Sequence, residues 1–466
     1  MKFVLKQDPA RSLDRLLAEA GCDLDLRCGG NGTCGRCRVK LLAGACSVLG
    51  RERAAPATVL ACQARIVSET VEVEVPESSR PHGGGNILAA WESDGLPVLD
   101  EPVVAVDVGT TTLVAVKILR GEVVARASAY NPQHVFGDNV IARIHAASTG
   151  HLDTLSRMLV DGIGALLDEI GLAGVNRIAL AGNTVMSCLF HHIDPASIGV
   201  LPFTPPTRVF PDRRDLYGGR CVSTVPAISG YVGGDLSAGL AIMDLHPGEM
   251  LIDIGTNCEI IYATADGVIC AAAAAGPAFE GAGLACGCRA VDGAIDHVFP
   301  DDSFSSIGAR APVGVCGSGY VDFLAVHHAS GRINEVGRYA PPAEAIPIVG
   351  GVVVTEADVA QLLKAKAAVW AGVQTLEAHG GGTARKIYLA GGFAHHLDLH
   401  NARAIQMLPD RNYEIVGNTS LAGAARLACD PGFMTTLLAT IDRPREIPLN
   451  TISSFEDAFI DGLLLP

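Results

Sequence analysis

The chain has 466 residues, of which 49% are hydrophobic and 18% are charged, and its formal net charge is −15 at pH 7. This length predicts several domains with buried cores, and the acidic balance argues against nucleic acid or an anionic membrane as a general partner. Charged residues appear soon after the start, and no apolar run reaches the ~18 residues of a membrane-spanning helix. We therefore expect a soluble, cytoplasmic protein without a membrane segment.

Cysteines cluster at the start of the chain, where six of the fourteen fall within the first 62 residues. In a cytosolic protein such clustering indicates metal or redox chemistry rather than disulfides. A glycine-rich loop has C-x5-C-x2-C spacing, and a fourth cysteine follows 25 positions later, which gives the candidate metal ligands Cys28, Cys34, Cys37 and Cys62. Four thiolates can also hold zinc, but zinc sites usually pair short Cys-x2-Cys units. Three ligands in one loop therefore favour a [2Fe-2S] cluster, and the spacing is similar to that of [2Fe-2S] ferredoxins.

The segments around this loop predict a small β-grasp ferredoxin domain over residues 1–78. A single strand at residues 2–5 precedes the first helix, where such domains usually have a hairpin, so this edge is expected to be short. Cys22 and Cys46 lie outside the ligand pattern and are expected to be packed or free thiols. Residues 79–100 contain a proline- and glycine-rich stretch typical of a flexible linker, which would let an electron carrier swing toward a partner. The helix and the remaining strands are expected at residues 12–20, 38–42, 64–67 and 71–75.

Two later stretches share one pattern, in which an apolar strand is followed by an aspartate and a glycine turn with polar side chains. The first contains Asp107 and the second Asp253, far enough apart for each to begin its own domain. Glycine lets the backbone approach a phosphate closely, hydroxyls and amides can donate to phosphate oxygens, and aspartate can hold Mg²⁺ directly or through water. One copy alone would more often be an ordinary turn after a buried strand. The candidate phosphate contacts are Gly109, Thr110, Thr111 and Thr112 in the first loop, and Gly255, Thr256 and Asn257 in the second.

Two Asp-x-Gly-Thr hairpins facing one nucleotide are typical of the ATPases that include actin, sugar kinases and heat-shock chaperones, and this chain resembles that superfamily. The resemblance implies two ribonuclease-H-like α/β lobes that clamp ATP and Mg²⁺ between them. Lobe I is expected at residues 101–245. Lobe II is expected at residues 246–466, with a C-terminal return to lobe I.

In sugar kinases of this superfamily, a Gly-Asp pair before the second loop carries the catalytic aspartate, and Asp235 stands at this place here. Asp235 is therefore the candidate for orienting the attacking water, and the position is equally compatible with a helix N-cap. Glu280 follows the second loop in a glycine-rich segment and is a candidate for an indirect contact to Mg²⁺ or the nucleotide. Two further turns would approach the nucleotide with backbone, Gly317 with Ser318 at the phosphates and Gly391 with Gly392 at the adenosine.

The order of motifs along nearly the whole chain resembles the reductive activators of corrinoid proteins, which join a ferredoxin-type domain to an ATPase of this superfamily. These activators use ATP to return one electron to a corrinoid whose cobalt has been oxidised from Co(I) to inactive Co(II). The resemblance implies that Asp107 and Asp253 hold Mg²⁺, that Asp235 positions water and that the four cysteines relay the electron. Its motifs are the cysteine loop and residues 107–112, 131–133, 182–184, 230–235, 253–257, 317–319, 391–393 and 417–418.

The resemblance implies a partner class without naming the partner. A corrinoid protein, or the B12 domain of a methyltransferase such as methionine synthase, would accept the electron, and an upstream donor would supply it. A homodimer is compatible with the family. Two other functions fit the same motifs: an ATP-dependent activator of another low-potential redox enzyme, and a non-catalytic redox sensor gated by nucleotide.

Overall fold

The computed structural model describes residues 1–9, 11–22, 24, 32, 37–76, 79, 95–137 and 139–466. The candidate ligands Cys28 and Cys34 lie outside the described residues, as does most of the linker expected at residues 79–100. None of the described helices combines the length and the apolar character that crossing a membrane requires.

The described residues of the N-terminal part form two small sheets and one α-helix. Its elements are β1 (Lys2–Lys6), α1 (Leu13–Glu19), β2 (Arg38–Ala43), β3 (Ala45–Val48), β4 (Arg51–Ala54), β5 (Ala57–Leu60), β6 (Ala64–Ile66) and β7 (Thr70–Glu74). The larger sheet has the antiparallel order β1-β7-β2-β5, and the smaller has the order β4-β3-β6. Strand β1 is an edge strand and leads directly to α1, as the short edge predicted. Ser12 occupies the N-cap position of α1, but its side chain makes no capping hydrogen bond.

The middle of the chain forms a five-stranded mixed sheet with helices around it. Its elements are β8 (Val103–Val108), β9 (Thr112–Leu119), β10 (Glu122–Tyr130), α2 (Val140–Ala146), α3 (Leu152–Ile170), β11 (Arg177–Gly182), α4 (Thr184–Phe190), β12 (Cys221–Thr224) and α5 (Gly234–Ile242). The sheet order is β10-β9-β8-β11-β12. Strands β8, β9 and β10 pair antiparallel, whereas β11 runs parallel to both β8 and β12. Helix α3 buries its apolar stripe, which includes Leu159 and Ile163, in the core of this layer.

The C-terminal half repeats that topology and adds further elements. Its strands are β13 (Glu249–Ile254), β14 (Cys258–Thr264), β15 (Gly267–Ala273), β16 (Ala294–Val298), β17 (Phe304–Ser306), β18 (Gly314–Val315), β19 (Ala345–Val349), β20 (Val352–Thr355), β21 (Lys386–Ala390), β22 (Asn412–Gly417) and β23 (Pro444–Glu446). Its helices are α6 (Gly317–Ala329), α7 (Glu356–His379), α8 (Gly392–His395), α9 (Leu399–Ala404), α10 (Thr419–Cys429), α11 (Phe433–Thr440) and α12 (Ser453–Gly462). The main sheet has the order β22-β21-β13-β14-β15-β23.

The two larger sheets show that one fold has been used twice. In each, an antiparallel three-stranded meander is followed by two strands parallel to its first strand, β8 in one sheet and β13 in the other. The predicted α/β architecture is confirmed. Helix α10 packs against β8, β11 and α5, so the chain returns from the second sheet to the first and brings the start of α10 beside the end of β8.

Candidate functional site

A cavity of about 250 Å³ lies where β8 and β13 end, between the two larger sheets. Both phosphate loops line it, and so do the turn before α6 and the start of α8. The sequence-predicted ATPase residues that line this single cavity are Asp107, Gly109, Thr110, Thr111, Thr112, Asp235, Asp253, Gly255, Thr256, Asn257, Gly317, Ser318, Gly391 and Gly392. The structure therefore brings together residues that are spread over 286 positions of the sequence, from residue 107 to residue 392.

The first loop carries an aspartate that the protein itself engages on both oxygens. The Asn418 amide donates to Oδ2 of Asp107 over 2.8 Å, and the Ser420 hydroxyl donates to Oδ1 over 2.7 Å. Burial raises the pKa of Asp107 above its ordinary value, and these two hydrogen bonds oppose that shift. Asp107 thus ties the end of β8 to the start of α10.

A buried arginine supports the first loop from below. Arg143 is fully buried, and its guanidinium donates to the backbone carbonyl of Thr110, to Gln133 Oε1 over 2.8 Å and to the Gly137 carbonyl over 3.3 Å. Asn131 adds a hydrogen bond of 2.9 Å to the carbonyl of Gly109. These contacts fix the loop backbone, because a buried guanidinium requires its hydrogen-bond partners.

The second loop carries an aspartate in a different state. Within the described part of the chain, no hydrogen bond reaches the carboxylate of Asp253. Burial, together with the nearby carboxylates of Asp235, Asp107 and Glu280, raises the pKa of Asp253 to about 7. Gly391 has a φ of +90°, and a Cβ there would lie 2.5 Å from Oδ1 of Asp253, so only glycine lets this backbone come so close.

Glu280 joins the two loops across the cavity. Its carboxylate accepts a hydrogen bond of 2.8 Å from the Thr111 hydroxyl and one of 2.7 Å from the Thr256 hydroxyl. Each of these hydroxyls has one proton, so a phosphate that takes either bond must displace Glu280 from it. Glu280 therefore occupies the donors that a phosphate would use.

Asp235 lies in the first turn of α5 and is not its N-cap. The N-cap residue is Gly233, and Asp235 Oδ1 accepts a hydrogen bond of 2.9 Å from the backbone N–H of Leu236. The capping alternative for Asp235 is therefore wrong, because α5 begins at Gly234, two residues earlier than a capping role for Asp235 requires. Burial and the charge of Asp107 raise the pKa of Asp235 to about 6.

These carboxylates fit a divalent cation that is shared with phosphates. The Asp253 carboxylate faces the cavity without a donor, and its neighbours are also acidic. Across the described ranges, no three His, Cys, Asp or Glu side chains converge enough to bind a metal alone. Mg²⁺ commonly uses one or two carboxylates and completes its shell with water and substrate phosphates, so this donor set suits a nucleotide-bound Mg²⁺.

The two described candidate ligands of the ferredoxin-type domain form a close pair. The Sγ atoms of Cys37 and Cys62 lie 3.2 Å apart, well beyond the roughly 2.05 Å of a disulfide bond. Two sulfurs side by side suit two thiolates on one iron, so the pair fits a [2Fe-2S] cluster. Cys22 and Cys46 are buried, and burial raises the pKa of Cys46 to about 11, which keeps that thiol protonated and unreactive.

Several residues that line or support the cavity were missed by sequence reasoning. Asn418 belongs to a turn motif that indicates no contact to Asp107, and Ser420 carries no signal beyond its position after that motif. Arg143 lies in a helix whose sequence carries no phosphate-binding pattern. Two further lining residues, Glu259 and Arg289, also lacked a pattern.

Comparison with family models divides the chain into three matched segments. Residues 2–67 match the 2Fe-2S iron-sulfur cluster binding domain. Residues 103–248 match the RACo middle region, and residues 248–466 match the C-terminal domain of RACo, described as the ASKHA domain. The two RACo models cover both larger sheets and every residue that lines the cavity.

Two curated relatives and one solved structure are similar to the chain. The first relative, "Corrinoid activation enzyme RamQ" of Eubacterium limosum, is 30% identical over 66% of this chain and 60% of its own length. A "[Co(II) methylated amine-specific corrinoid protein] reductase" of Methanosarcina barkeri is 28% identical over 63% of each chain. The solved structure, a "Reductive activator for corrinoid,iron-sulfur protein", superposes with a TM-score of 0.72 and 25% identity over 100% of this chain and 98% of its own. The chain thus spans less than two thirds of the two relatives.

Proposed function

We propose that this chain, which belongs to the RACo family, is an ATP-hydrolysing activator that passes one electron from a [2Fe-2S] cluster to a corrinoid protein and so reduces inactive Co(II) to Co(I). One observation carries the proposal. Both phosphate loops and the acidic residues between them line a single cavity, in a chain whose ferredoxin-type domain places Cys37 and Cys62 side by side. One molecule would therefore both bind ATP and carry the electron.

The energetics explain why such a chain would need both parts. A plant-type [2Fe-2S] cluster supplies one-electron chemistry near roughly −400 mV. Co(I) is a stronger reductant, and each ~59 mV of mismatch costs about 1.4 kcal/mol for one electron. Transfer from the four-cysteine site to the corrinoid therefore runs uphill unless another reaction drives it. Cys28, Cys34, Cys37 and Cys62 would hold the cluster in this scheme.

The residues of the cavity supply the means of using ATP. The hydroxyls and backbone amides of residues 110–112 and 255–257 would donate to the phosphates, and Asp253 would hold Mg²⁺ with Asp107 beside it. Asp235 would orient the attacking water, since its carboxylate lies in the same cavity and its raised pKa lets it accept a proton near neutral pH. Glu280 would release Thr111 and Thr256 as the phosphates enter.

Nucleotide binding would also change the relation of the two lobes. The phosphates contact a loop from each lobe, so binding favours the closed arrangement over any open one. Closure would alter the surface that is offered to the corrinoid protein, and hydrolysis would release that partner. The partner would be a corrinoid protein or a B12 domain, for example that of methionine synthase, and an upstream donor would supply the electron. The protein would act as a homodimer in the cytoplasm.

Replacing Asp253 tests the division of labour between the two halves. Asp253→Ala should abolish ATP-dependent reactivation of a corrinoid protein and leave the visible spectrum of the cluster intact, because the cluster is held by another domain. Asp266→Ala, which removes an exposed carboxylate from the turn between β14 and β15, is the matched control and should retain activity. Loss of the cluster spectrum in Asp253→Ala, or full reactivation by it, would contradict the proposal.

A further inference from the structure

Arg289 lines the same cavity, in the segment between the short helix Pro277–Glu280 and β16. The backbone beside it is tightly placed, because the Cys288 N–H donates to the Val315 carbonyl over 2.9 Å. A Cβ at Gly281 would lie 2.2 Å from the carbonyl oxygen of Cys288, so glycine is required there. The backbone at Arg289 is therefore held in place close to Glu280.

The guanidinium of Arg289 packs on an aromatic ring and has unused donors. Its central carbon lies 4.2 Å from the centre of the Tyr130 ring, which belongs to the end of β10 in the other lobe. Among the described residues, its Nε and Nη1 are buried and have no hydrogen-bond partner, and Arg289 takes part in no ion pair. A guanidinium stacked on a ring keeps its N–H groups in its own plane, where a planar or tetrahedral anion can accept them.

Buried guanidinium donors without partners are costly and uncommon. The cavity offers no protein anion to them, although five carboxylates line it. Those carboxylates are Asp107, Asp235, Asp253, Glu259 and Glu280. Arg289 is the only lysine or arginine among the described residues that line the cavity. An anionic ligand that enters this cavity would therefore meet a single protein cation whose donors are already desolvated.

We infer that Arg289 binds a phosphate oxygen of the nucleotide, with Tyr130 holding the guanidinium in place. This inference rests on the proposed function in so far as it takes the ligand to be a nucleotide. Charge-assisted hydrogen bonds to phosphate are the strong ones, and the fork of arginine suits them. The charge of Arg289 would also stabilise the negative charge on the phosphate chain during hydrolysis. Because Tyr130 comes from lobe I and Arg289 from lobe II, this contact would couple phosphate binding to the closed arrangement of the lobes.

The test is calorimetric titration of the full-length, cluster-loaded protein with ATP, ADP and adenosine. Arg289→Gln should weaken ATP and ADP binding about tenfold to 100-fold, which is the usual effect of losing hydrogen bonds to a charged group. Its adenosine affinity should be unchanged, because adenosine has no phosphate. Arg289→Lys should recover part of the lost ATP affinity, since it keeps the charge and loses the planar fork.

Arg426→Gln is the matched control, because Arg426 packs over Phe433 at 5.9 Å and does not line the cavity. It should bind ATP like the wild type. Unchanged ATP affinity in Arg289→Gln, or an equal loss for adenosine, would overturn the inference. If Arg289→Gln fails to fold, Arg289→Lys takes its place. A lower ATP affinity than the wild type with unchanged adenosine affinity would then support the inference, and unchanged ATP affinity or an equal loss for adenosine would overturn it. A wild-type protein that binds no ATP would instead overturn the proposed function itself.

Discussion

The two lobes begin with nearly the same hairpin and use its aspartate in different ways. In lobe I, Asp107 accepts hydrogen bonds from Asn418 and Ser420 and so joins β8 to α10. In lobe II, no described residue donates to Asp253, and burial together with neighbouring acids raises its pKa to about 7. A shared fold therefore gives one carboxylate a structural tie and leaves the other available for a cation. Duplication of a motif predicts where a side chain lies and not what holds it.

A buried cation in each lobe shows the same contrast. Arg143 of lobe I donates to the carbonyl of Thr110 and so supports the phosphate loop directly. Lys366 of lobe II, on α7, donates over 2.6 Å to the carbonyl of Leu464 near the chain end. Burial lowers the pKa of Lys366 to about 7. The buried arginine of lobe I thus supports the site, whereas the buried lysine of lobe II attaches the C-terminal segment.

The largest expected difference concerns the two aspartates. Asp253→Asn should lower ATP hydrolysis more than about 100-fold, because a direct cation ligand is lost. It should also raise the free energy of unfolding at pH 8, since a carboxylate whose pKa is raised destabilises the fold above that pKa. Asp107→Asn should gain less stability than Asp253→Asn, because it disturbs the two hydrogen bonds that offset the burial of the Asp107 carboxylate. Chemical denaturation and steady-state ATPase assays measure both effects, and equal stability changes in the two variants would contradict the contrast.

Removal of the loop support should be the next largest effect. Arg143→Met leaves the carbonyls of Thr110 and Gly137 and the amide of Gln133 without their donor. Each buried unpaired group costs about 1–3 kcal/mol, so a loss of about 3 kcal/mol or more in unfolding free energy is expected, together with weaker ATP binding. Arg213→Met, which removes an arginine of lobe I that does not line the cavity, serves as the control. Normal ATP affinity in a folded Arg143→Met protein would show that the loop does not depend on this contact.

The tie between Asp107 and α10 can be weakened without touching the cavity charge. Ser420→Ala removes one hydrogen bond to a buried carboxylate and should cost about 1.5–3 kcal/mol of stability. Thr419→Val is the matched control, because the Thr419 hydroxyl is buried and has no hydrogen-bond partner among the described residues. Thermal unfolding compares the two variants. A larger loss in Thr419→Val than in Ser420→Ala would remove the structural role assigned to Asp107.

Lys366 predicts a pH dependence of stability. The pKa of this amine is about 7 in the folded chain and near 10.4 when unfolded. Between these values the unfolded chain binds the extra proton, so the free energy of unfolding should rise with pH, by at most about 1.4 kcal/mol per unit. The penalty is complete below pH 7. Lys366→Met should flatten this slope. If the variant and the wild type have the same slope from pH 7 to 10, the lowered pKa of Lys366 is contradicted.

Local patterns were sufficient for the architecture and for identifying two loops that line one cavity. The apolar strands that end in Asp-x-Gly-Thr predicted both hairpins, and the two RACo matches confirm the predicted resemblance to activators of corrinoid proteins. Cysteine spacing predicted the ferredoxin-type domain, which the 2Fe-2S match confirms. The domain limits and the individual roles of the site residues remain predictions. These features could be predicted because each depends on residues that are neighbours in the sequence.

The remaining features depend on contacts between distant segments. Ser420 meets Asp107 across 313 positions, and Arg143 reaches Thr110 only because α2 packs under the loop. A serine or an arginine at these positions looks the same in the sequence whether it makes such a contact or is an ordinary helix residue. Gly233 is the N-cap of α5, which excludes a capping role for Asp235, and its place depends on backbone packing. A Cβ at Gly233 would lie 2.4 Å from the Cα of Asn183. Sequence spacing alone does not contain this information.

The most direct test of the proposed function follows cobalt by absorbance. A candidate corrinoid protein in the Co(II) state is mixed anaerobically with this protein and a reductant, with and without ATP. We predict that the Co(I) spectrum appears only when ATP is present. Equal formation of Co(I) without nucleotide would contradict the proposed function.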